Sequence, residues 1–78
     1  MQLDILSPDH VLFSGEAKSL SVPGTEGSLG ILDNHAAMIT TLQKGMVKLV
    51  TNEGEEQLHE INGGVVEVSN NKVIVLAD

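Results

Sequence analysis

Three histidines are the residues of this 78-residue chain best suited to hold a metal ion or to act as a general base. His10, His35 and His59 lie about two dozen residues apart, so the short pairings that are typical of zinc sites do not occur. The chain has no cysteine, which excludes disulfides and thiolate metal sites. We therefore expect neither a metal ion nor a cofactor.

Asp9, His10 and Ser14 include the three side-chain types of a Ser-His-Asp triad. Asp9 and His10 are adjacent in a turn-like segment, which gives no indication of the hydrogen-bond chain that a triad needs, and the sequence contains no nucleophile elbow. The acidic run at 53–56 lacks the twelve-residue ligand pattern of a calcium loop. Both segments are better explained as solvated turns, so we expect no catalytic residue.

Glycines at positions 24, 27 and 30 give the segment from Pro23 to Ala37 an unusual backbone. A phosphate loop would need a Gly-Lys-Ser/Thr end leading into a helix, and this segment leads instead into an apolar, strand-like run. The dinucleotide-binding fingerprint fails for the same reason. We expect positive φ or a close backbone approach at these glycines, because neither tolerates a Cβ atom. Gly30→Val should then destabilise the fold.

The charge of the chain limits its partners. Four lysines, no arginine and eleven carboxylates give a formal net charge of −7. Such a surface repels phosphate backbones and anionic lipid head groups, so we expect no nucleic acid and no direct lipid binding. No apolar run approaches the roughly 20 residues that span a bilayer, and the segment Met1–Asp4 lacks the basic region of a signal peptide. We expect a cytoplasmic protein that reaches a membrane only through another protein.

The elements that position these residues are predicted to be short β-strands. Apolar and polar residues alternate with a period of two between recurring turn residues, which is typical of an all-β sandwich or barrel. Ser14-Gly15-Glu16 is interpreted as a turn between strands at 11–13 and 17–22. The β-branched residues at 39–41 favour a strand at 36–42. We predict one domain over residues 1–78, an antiparallel β-sandwich or flattened barrel of about nine to ten strands.

Three predicted strands are apolar on both faces, although a strand of a two-layer antiparallel domain needs only one apolar face. They span residues 36–42, 46–50 and 73–77. The chain is too short to provide another element that would cover the second face. The excess is therefore either a barrel rim or a surface that another protein buries. We favour the interface, because large exposed apolar patches usually mark one.

Five motifs follow one another along the chain: Ser14-Gly15-Glu16, Gly-Thr-Glu-Gly-x-x-Gly-Ile-Leu-x-x-His-Ala at 24–36, Lys44-Gly45-Met46, Gly-Gly-Val-Val-Glu-Val at 63–68 and Val-Ile-Val-Leu-Ala-Asp at 73–78. In this order they resemble the epsilon subunit family of F-type rotary ATP synthases, over essentially all 78 residues. The resemblance is to the N-terminal β-sandwich domain, without the C-terminal helical hairpin of many members. Single positions depart from the family, which often has Pro-Gly at Asp33-Asn34 and an acidic residue at Ser28.

The resemblance implies a non-catalytic rotor component of the central stalk. Such a subunit binds the gamma subunit and the ring of c subunits, and it couples rotation driven by protons or sodium ions to ATP synthesis. The resemblance assigns the gamma contact to Ala36, Met38, Thr40 and Met46, and the c-ring contact to Glu26, Ser28, Asp33 and His35. It implies a peripheral location on the cytoplasmic face of the bacterial inner membrane.

Other interpretations stay open at this point. His35 could instead be a turn histidine that bonds the adjacent backbone. A lipoyl or biotinyl carrier domain is also a small acidic β-sandwich, and Lys44 lies at a predicted hairpin tip, although Gln43 is not the aspartate or methionine that normally precedes the modified lysine. A small hydrolase would depend on Asp9, His10 or His35, and the motifs give it little support.

Overall fold

Eight β-strands and their connections form the computed structural model, which describes residues 1–78. In chain order the strands are β1 (Gln2–Leu6), β2 (Val11–Gly24), β3 (Gly27–Leu32), β4 (Met38–Leu42), β5 (Gly45–Thr51), β6 (Glu56–Ile61), β7 (Gly64–Ser69) and β8 (Lys72–Ala77). The predicted all-β fold class is confirmed, but the pairing is not purely antiparallel as predicted, because β1 pairs with β8 in parallel. The structure contains no helix of the length and apolar character needed to cross a membrane.

Strand β2 is 14 residues long and joins two layers of the fold. Its first half pairs with β1, and its second half pairs with β3 and β5. The first sheet therefore contains β4, β7, β8, β1 and the first half of β2, while the second sheet contains β3, the second half of β2, β5 and β6. The pairing register of β2 with β5 shifts between Ala17 and Ser19, where the strand passes from one sheet to the other.

The predicted turn at Ser14-Gly15-Glu16 is wrong. Ser14 and Gly15 lie inside β2, where they pair with Asp4 and Leu3 of β1. A glycine between two short apolar runs is typical of a turn, but the ladder to β1 keeps this backbone extended. The two predicted strands are one strand, so the fold has eight strands and fewer than the predicted number.

The core lies between the two sheets and is built from alternate residues of each strand. In β1 and β8, for example, Leu3, Ile5, Val73 and Val75 are buried, while the residues between them are at least partly exposed. Sixteen buried apolar residues form one cluster. Each large aliphatic side chain in it contributes about 1.5–3 kcal/mol relative to exposure, which compensates for the small size of the domain. No buried side-chain nitrogen or oxygen lacks a hydrogen-bond partner.

The glycines of the sequence motif differ in what they require. Gly27 has a φ of 133°, and a Cβ atom at Gly24 would lie 2.5 Å from the carbonyl oxygen of Gly27, so both positions need glycine. Gly30 has neither a positive φ nor any atom within 4 Å of its Cβ position. The expectation of backbone strain at Gly30 is therefore wrong. The tightest site is Gly64, with a φ of 145°, where a Cβ atom would overlap the carbonyl oxygen of Leu76.

The strand connections lie at two opposite ends of the sandwich. The Met1 end carries the amino terminus, the β3–β4 loop at 33–37 and the β7–β8 turn; there the backbone N–H of Asn34 donates to Oδ1 of Asn71 at 2.8 Å. The Asp78 end carries the β2–β3, β4–β5 and β6–β7 connections; there the N–H of Asp78 donates to the carbonyl of Gly63 at 3.0 Å.

Candidate partner-binding surfaces

The outward side of the first sheet carries a continuous apolar row. Leu76 of β8 pairs with Val65 of β7 on one side and with Leu6 of β1 on the other, and Leu6 pairs with Val11 of β2. Paired residues of neighbouring strands point to the same side of a sheet, so these four side chains adjoin one another. Leu76 is 51% exposed and Val11 is 65% exposed. The row crosses four strands and is open to solvent.

A second row lies beside the first and mixes apolar with acidic residues. Ile39 of β4 pairs with Glu67 of β7, Glu67 pairs with Ile74 of β8, and Ile74 pairs with Asp4 of β1. Ile39 is the most exposed large apolar residue of the chain, at 69%. The two rows together are termed the outer face, which consists of Leu6, Val11, Ile39, Val65, Ile74 and Leu76 with Asp4 and Glu67 among them.

A shallow groove borders the outer face toward the Met1 end. It has a volume of about 460 Å³ and lies between the beginning of β4 and the end of β7. Its lining residues are Ala37, Met38, Ile39, Glu67, Val68 and Ser69. Four of the six are apolar, and Glu67 is the one ionisable residue. The groove therefore joins an apolar wall to a single carboxylate.

The outward side of the second sheet is mixed in character. Met46 and Leu58 are exposed there, but Lys48 pairs with Leu58 across β5 and β6. The Nζ atom of Lys48 lies 3.1 Å from Oε2 of Glu56. The apolar excess that the sequence predicts at 46–50 is thus interrupted by an ion pair on the outward side, whereas the row that includes Leu76 of β8 is apolar on all four strands that it crosses.

The four residues assigned by resemblance to the gamma contact do not share one surface. Ala36 is exposed in the β3–β4 loop, and the partly buried Met38 lines the groove. Thr40 is partly buried and lines a separate cleft beside the β2–β3 turn. Met46 is exposed on the second sheet. Only Ala36 and Met38 lie beside the outer face.

The four residues assigned to the c-ring contact are divided between the two ends. Glu26 and Ser28 are exposed at the Asp78 end and line the cleft there. Asp33 and His35 lie beyond the other end of β3, roughly 17 Å farther along the strand at 3.3 Å per residue. The amino-terminal ammonium group of Met1 donates to Oδ1 of Asp33 at 2.5 Å, so Asp33 holds the start of β1 in place.

His35 forms a hydrogen bond within its own loop. Its Nδ1 atom donates to the carbonyl oxygen of Ala36 at 2.8 Å, and its backbone N–H donates to the carbonyl of Leu32 at 3.2 Å. This is the arrangement of a turn histidine, one of the two interpretations left open by the sequence. The ring is only partly exposed, so it contributes less to the surface than its position in the motif indicates.

The residues that could do chemistry are far apart in the fold. His10 lies in the β1–β2 turn, His35 in the β3–β4 loop and His59 on β6, and no three His, Asp or Glu residues come together in a way that could hold a metal ion. The hydroxyl of Ser14 donates to Oδ1 of Asp4 at 2.6 Å, so Ser14 is bonded to a residue outside the sequence-level triad. The molecule thus offers surfaces for binding and no assembled reaction centre.

The outer face could not be identified from the sequence as one surface. Leu6 and Leu76 become neighbours through the parallel pairing of β1 with β8, and their positions are 70 residues apart in the chain. The apolar excess at 73–77 was a usable signal, since it indicated a second apolar side on that strand. It did not indicate which strands would extend that side into a patch.

Comparison with known proteins gives consistent matches. The family model described as "ATP synthase, Delta/Epsilon chain, beta-sandwich domain" matches residues 1–78. The ATP synthase epsilon chain of Dichelobacter nodosus (strain VCS1703A) is 46% identical over 77 residues, which are 99% of this chain and 54% of the relative. The chain thus spans about half the length of that relative.

Two solved structures share the fold. One is the Euglena gracilis mitochondrial ATP synthase, OSCP/F1/c-ring in rotational state 1, with a TM-score of 0.89 and 21% identity over 96% of this chain and 48% of the other. The second is the central stalk/c-ring of the Tetrahymena thermophila mitochondrial ATP synthase, with a TM-score of 0.78 and 22% identity over 99% of this chain and 62% of the other. At these identities the likeness concerns the fold.

Proposed function

Because the chain belongs to the family of ATP synthase delta/epsilon β-sandwich domains, we propose that it is a non-catalytic component of the central stalk of an F-type ATP synthase. In this role it binds the gamma subunit and the c-ring, so that ion-driven rotation of the ring turns gamma. It is held at the cytoplasmic face of a bacterial inner membrane through these partners. The dispersed histidines and carboxylates fit a role in binding.

The observation that supports the gamma contact is the exposed apolar surface of the outer face. Exposed apolar patches of this kind are uncommon on monomers and mark sites that another protein covers. The face is rigid, because its strands are joined by continuous hydrogen-bond ladders. β7 is bonded to β4 and β8, and β8 is bonded to β7 and β1. A stiff, multi-stranded contact suits a joint that transmits torque. Ala36 and Met38 extend this contact toward the Met1 end, whereas Thr40 and Met46 lie outside it.

The proposed c-ring contact lies along β3. This strand pairs only with β2, so its other edge is free, and Glu26, Ser28 and Asp33 are exposed at or near its two ends. The two ends are roughly 17 Å apart at 3.3 Å per residue, so one ring surface that lies along the free edge can touch both. We therefore keep Glu26, Ser28, Asp33 and His35 in the ring contact, with His35 contributing least because its ring is only partly exposed.

A matched pair of substitutions tests the gamma contact. Leu76 on the outer face and Leu58 on the second sheet are similarly exposed, at 51% and 55%, and both lie in strands. Leu76→Glu should lower the affinity for the gamma subunit of the same ATP synthase by at least about 30-fold, because it places an unpaired charge in a desolvated contact. Leu58→Glu should change it by less than about two-fold.

Calorimetric titration measures both affinities, and circular dichroism verifies that both variants are folded. Weaker binding by the Leu58 variant, with the Leu76 variant unchanged, would place gamma on the second sheet.

No observation favours the carrier-domain alternative. Lys44 is exposed in the β4–β5 connection, but exposure is usual for lysine and the family match is to ATP synthase.

A further inference from the structure

Glu67 is an acidic residue that lies between two isoleucines of the outer face. It lies between Ile39 of β4 and Ile74 of β8, to which it is paired on its two sides. The three ion pairs of the chain involve Met1 with Glu16, Met1 with Asp33, and Lys48 with Glu56, so Glu67 takes part in none of them. Its carboxylate is exposed and available to a partner.

No ion pair in the structure compensates the charge of Glu67. Lys72 of β8 is the only lysine in β1, β4, β7 or β8; it lies on the same side of the sheet, diagonally across from Glu67, and forms no ion pair. Asp4, in the same row as Glu67, accepts a hydrogen bond from Ser14 and adds a second negative charge. Asp4 and Glu67 outnumber the one lysine on this side of the sheet, so the outer face combines apolar side chains with a net negative charge.

We propose, on the basis of the gamma contact proposed above, that the groove beside Glu67 receives an arginine or lysine side chain of the partner. Ile39 pairs with Glu67 on the outward side and, with the exposed Ala37, offers apolar surface to the aliphatic part of such a side chain, while Glu67 lies where the cationic group can end. Arginine fits this role best, since its planar group can bond both carboxylate oxygens. The proposal specifies the chemistry of the partner at one position.

The physical reason is the cost of covering a charge. A partner that buries the outer face removes water from Glu67, and an unpaired buried carboxylate is strongly unfavourable. A cation from the partner compensates for this cost and gives the contact a fixed position along β4 and β7. A partner with a purely apolar surface would instead gain affinity when the carboxylate is removed. Removal of the Glu67 carboxylate thus lowers the affinity for a partner that supplies a cation and raises it for a purely apolar partner.

Two substitutions at Glu67 test this sign. Glu67→Gln keeps the shape and removes the charge, and Glu67→Leu replaces the carboxylate by an apolar group. Both should weaken binding to the gamma subunit by at least about ten-fold, because each leaves the partner's cation buried without a counter-charge. Added salt should weaken binding of the unsubstituted chain more than binding of the glutamine variant. Equal or tighter binding by either variant would refute the proposal.

Glu53→Gln is the matched control. Glu53 lies in the β5–β6 turn at the second sheet, and its substitution changes the net charge of the chain by the same amount. It should alter affinity by less than about two-fold, which separates a local contact from general attraction between charged proteins. Leu76→Glu separates a failure of the cation contact at Glu67 from a failure of the whole gamma contact on the outer face. Lost binding with Leu76→Glu and unchanged binding with Glu67→Gln would overturn this inference alone, whereas unchanged binding with Leu76→Glu would overturn the proposed gamma contact.

Discussion

Replacing Gly64 by alanine should remove a large part of the stability of this domain. Gly64 is the first residue of β7 and pairs with Leu42 of β4 and Ala77 of β8. Its φ of 145° is unfavourable for any residue with a side chain, and a Cβ atom would overlap the carbonyl oxygen of Leu76 and lie 3.0 Å from Cα of Ala77. These are backbone atoms, so a rotamer change cannot relieve the clash. The β7 and β8 strands must move apart.

The expected loss follows from two costs. Holding alanine at such a φ costs about 1–3 kcal/mol, and forcing atoms into a packed interior costs about 1–3 kcal/mol more. We expect a combined loss of about 2–6 kcal/mol, from a total stability of about 4–12 kcal/mol for a domain of this length. For a domain of this size, 1 kcal/mol corresponds to about 4–8 °C, so the melting temperature should fall by at least about 8 °C.

Gly30→Ala is the control for this prediction. Gly30 lies in β3 with ordinary φ and with open space at its Cβ position. Alanine there should change the stability by less than about 0.5 kcal/mol, or raise it slightly by restricting the unfolded chain. Thermal melts followed by circular dichroism compare the two variants. A melting temperature for Gly64→Ala within about 3 °C of the unsubstituted chain would refute the reasoning.

Two further predictions concern the core and the β7–β8 turn. Leu3→Ala should destabilise the fold by about 2–5 kcal/mol in urea unfolding, because Leu3 is fully buried. Leu32→Ala, at a 63% exposed position, should cost less than about 0.5 kcal/mol. Equal losses in the two variants would mean that the inward and outward sides are misassigned. Asn71→Ala should cost about 1–2 kcal/mol, since Asn71 has a φ of 58° and accepts a hydrogen bond from the Asn34 backbone. Asn52→Ala, at an exposed turn position without positive φ, should be nearly neutral, and a larger loss at Asn52 would contradict this account of the turn.

The fold class could be predicted because its signal is local. Alternation of apolar and polar residues sets the inward side of β1 without reference to the rest of the chain. The number of strands could not be predicted in the same way. Gly15 has the local character of a turn residue, and only its pairing with Leu3 keeps it inside β2. That pairing is a property of two segments together.

The binding surfaces were predictable only in part, for the same reason. The sequence indicated that β4 and β8 have apolar residues beyond the needs of the core, and Ile39 and Leu76 are the exposed ones. It did not indicate that Met46 would lie on the other sheet, because that depends on how β2 crosses between layers. Likewise, Glu26 and Asp33 are close in the motif and lie at opposite ends of β3 in the fold.

Hydroxyl-radical footprinting of the chain, alone and bound to the gamma subunit, tests the central claim most directly. The method reads how strongly each exposed side chain is oxidised. We predict that oxidation of Val11, Ile39 and Leu76 falls when gamma binds, while Met46 and Leu58 are oxidised as before. Protection of Met46 and Leu58 with Ile39 and Leu76 unchanged would contradict the account, because gamma would then cover the second sheet.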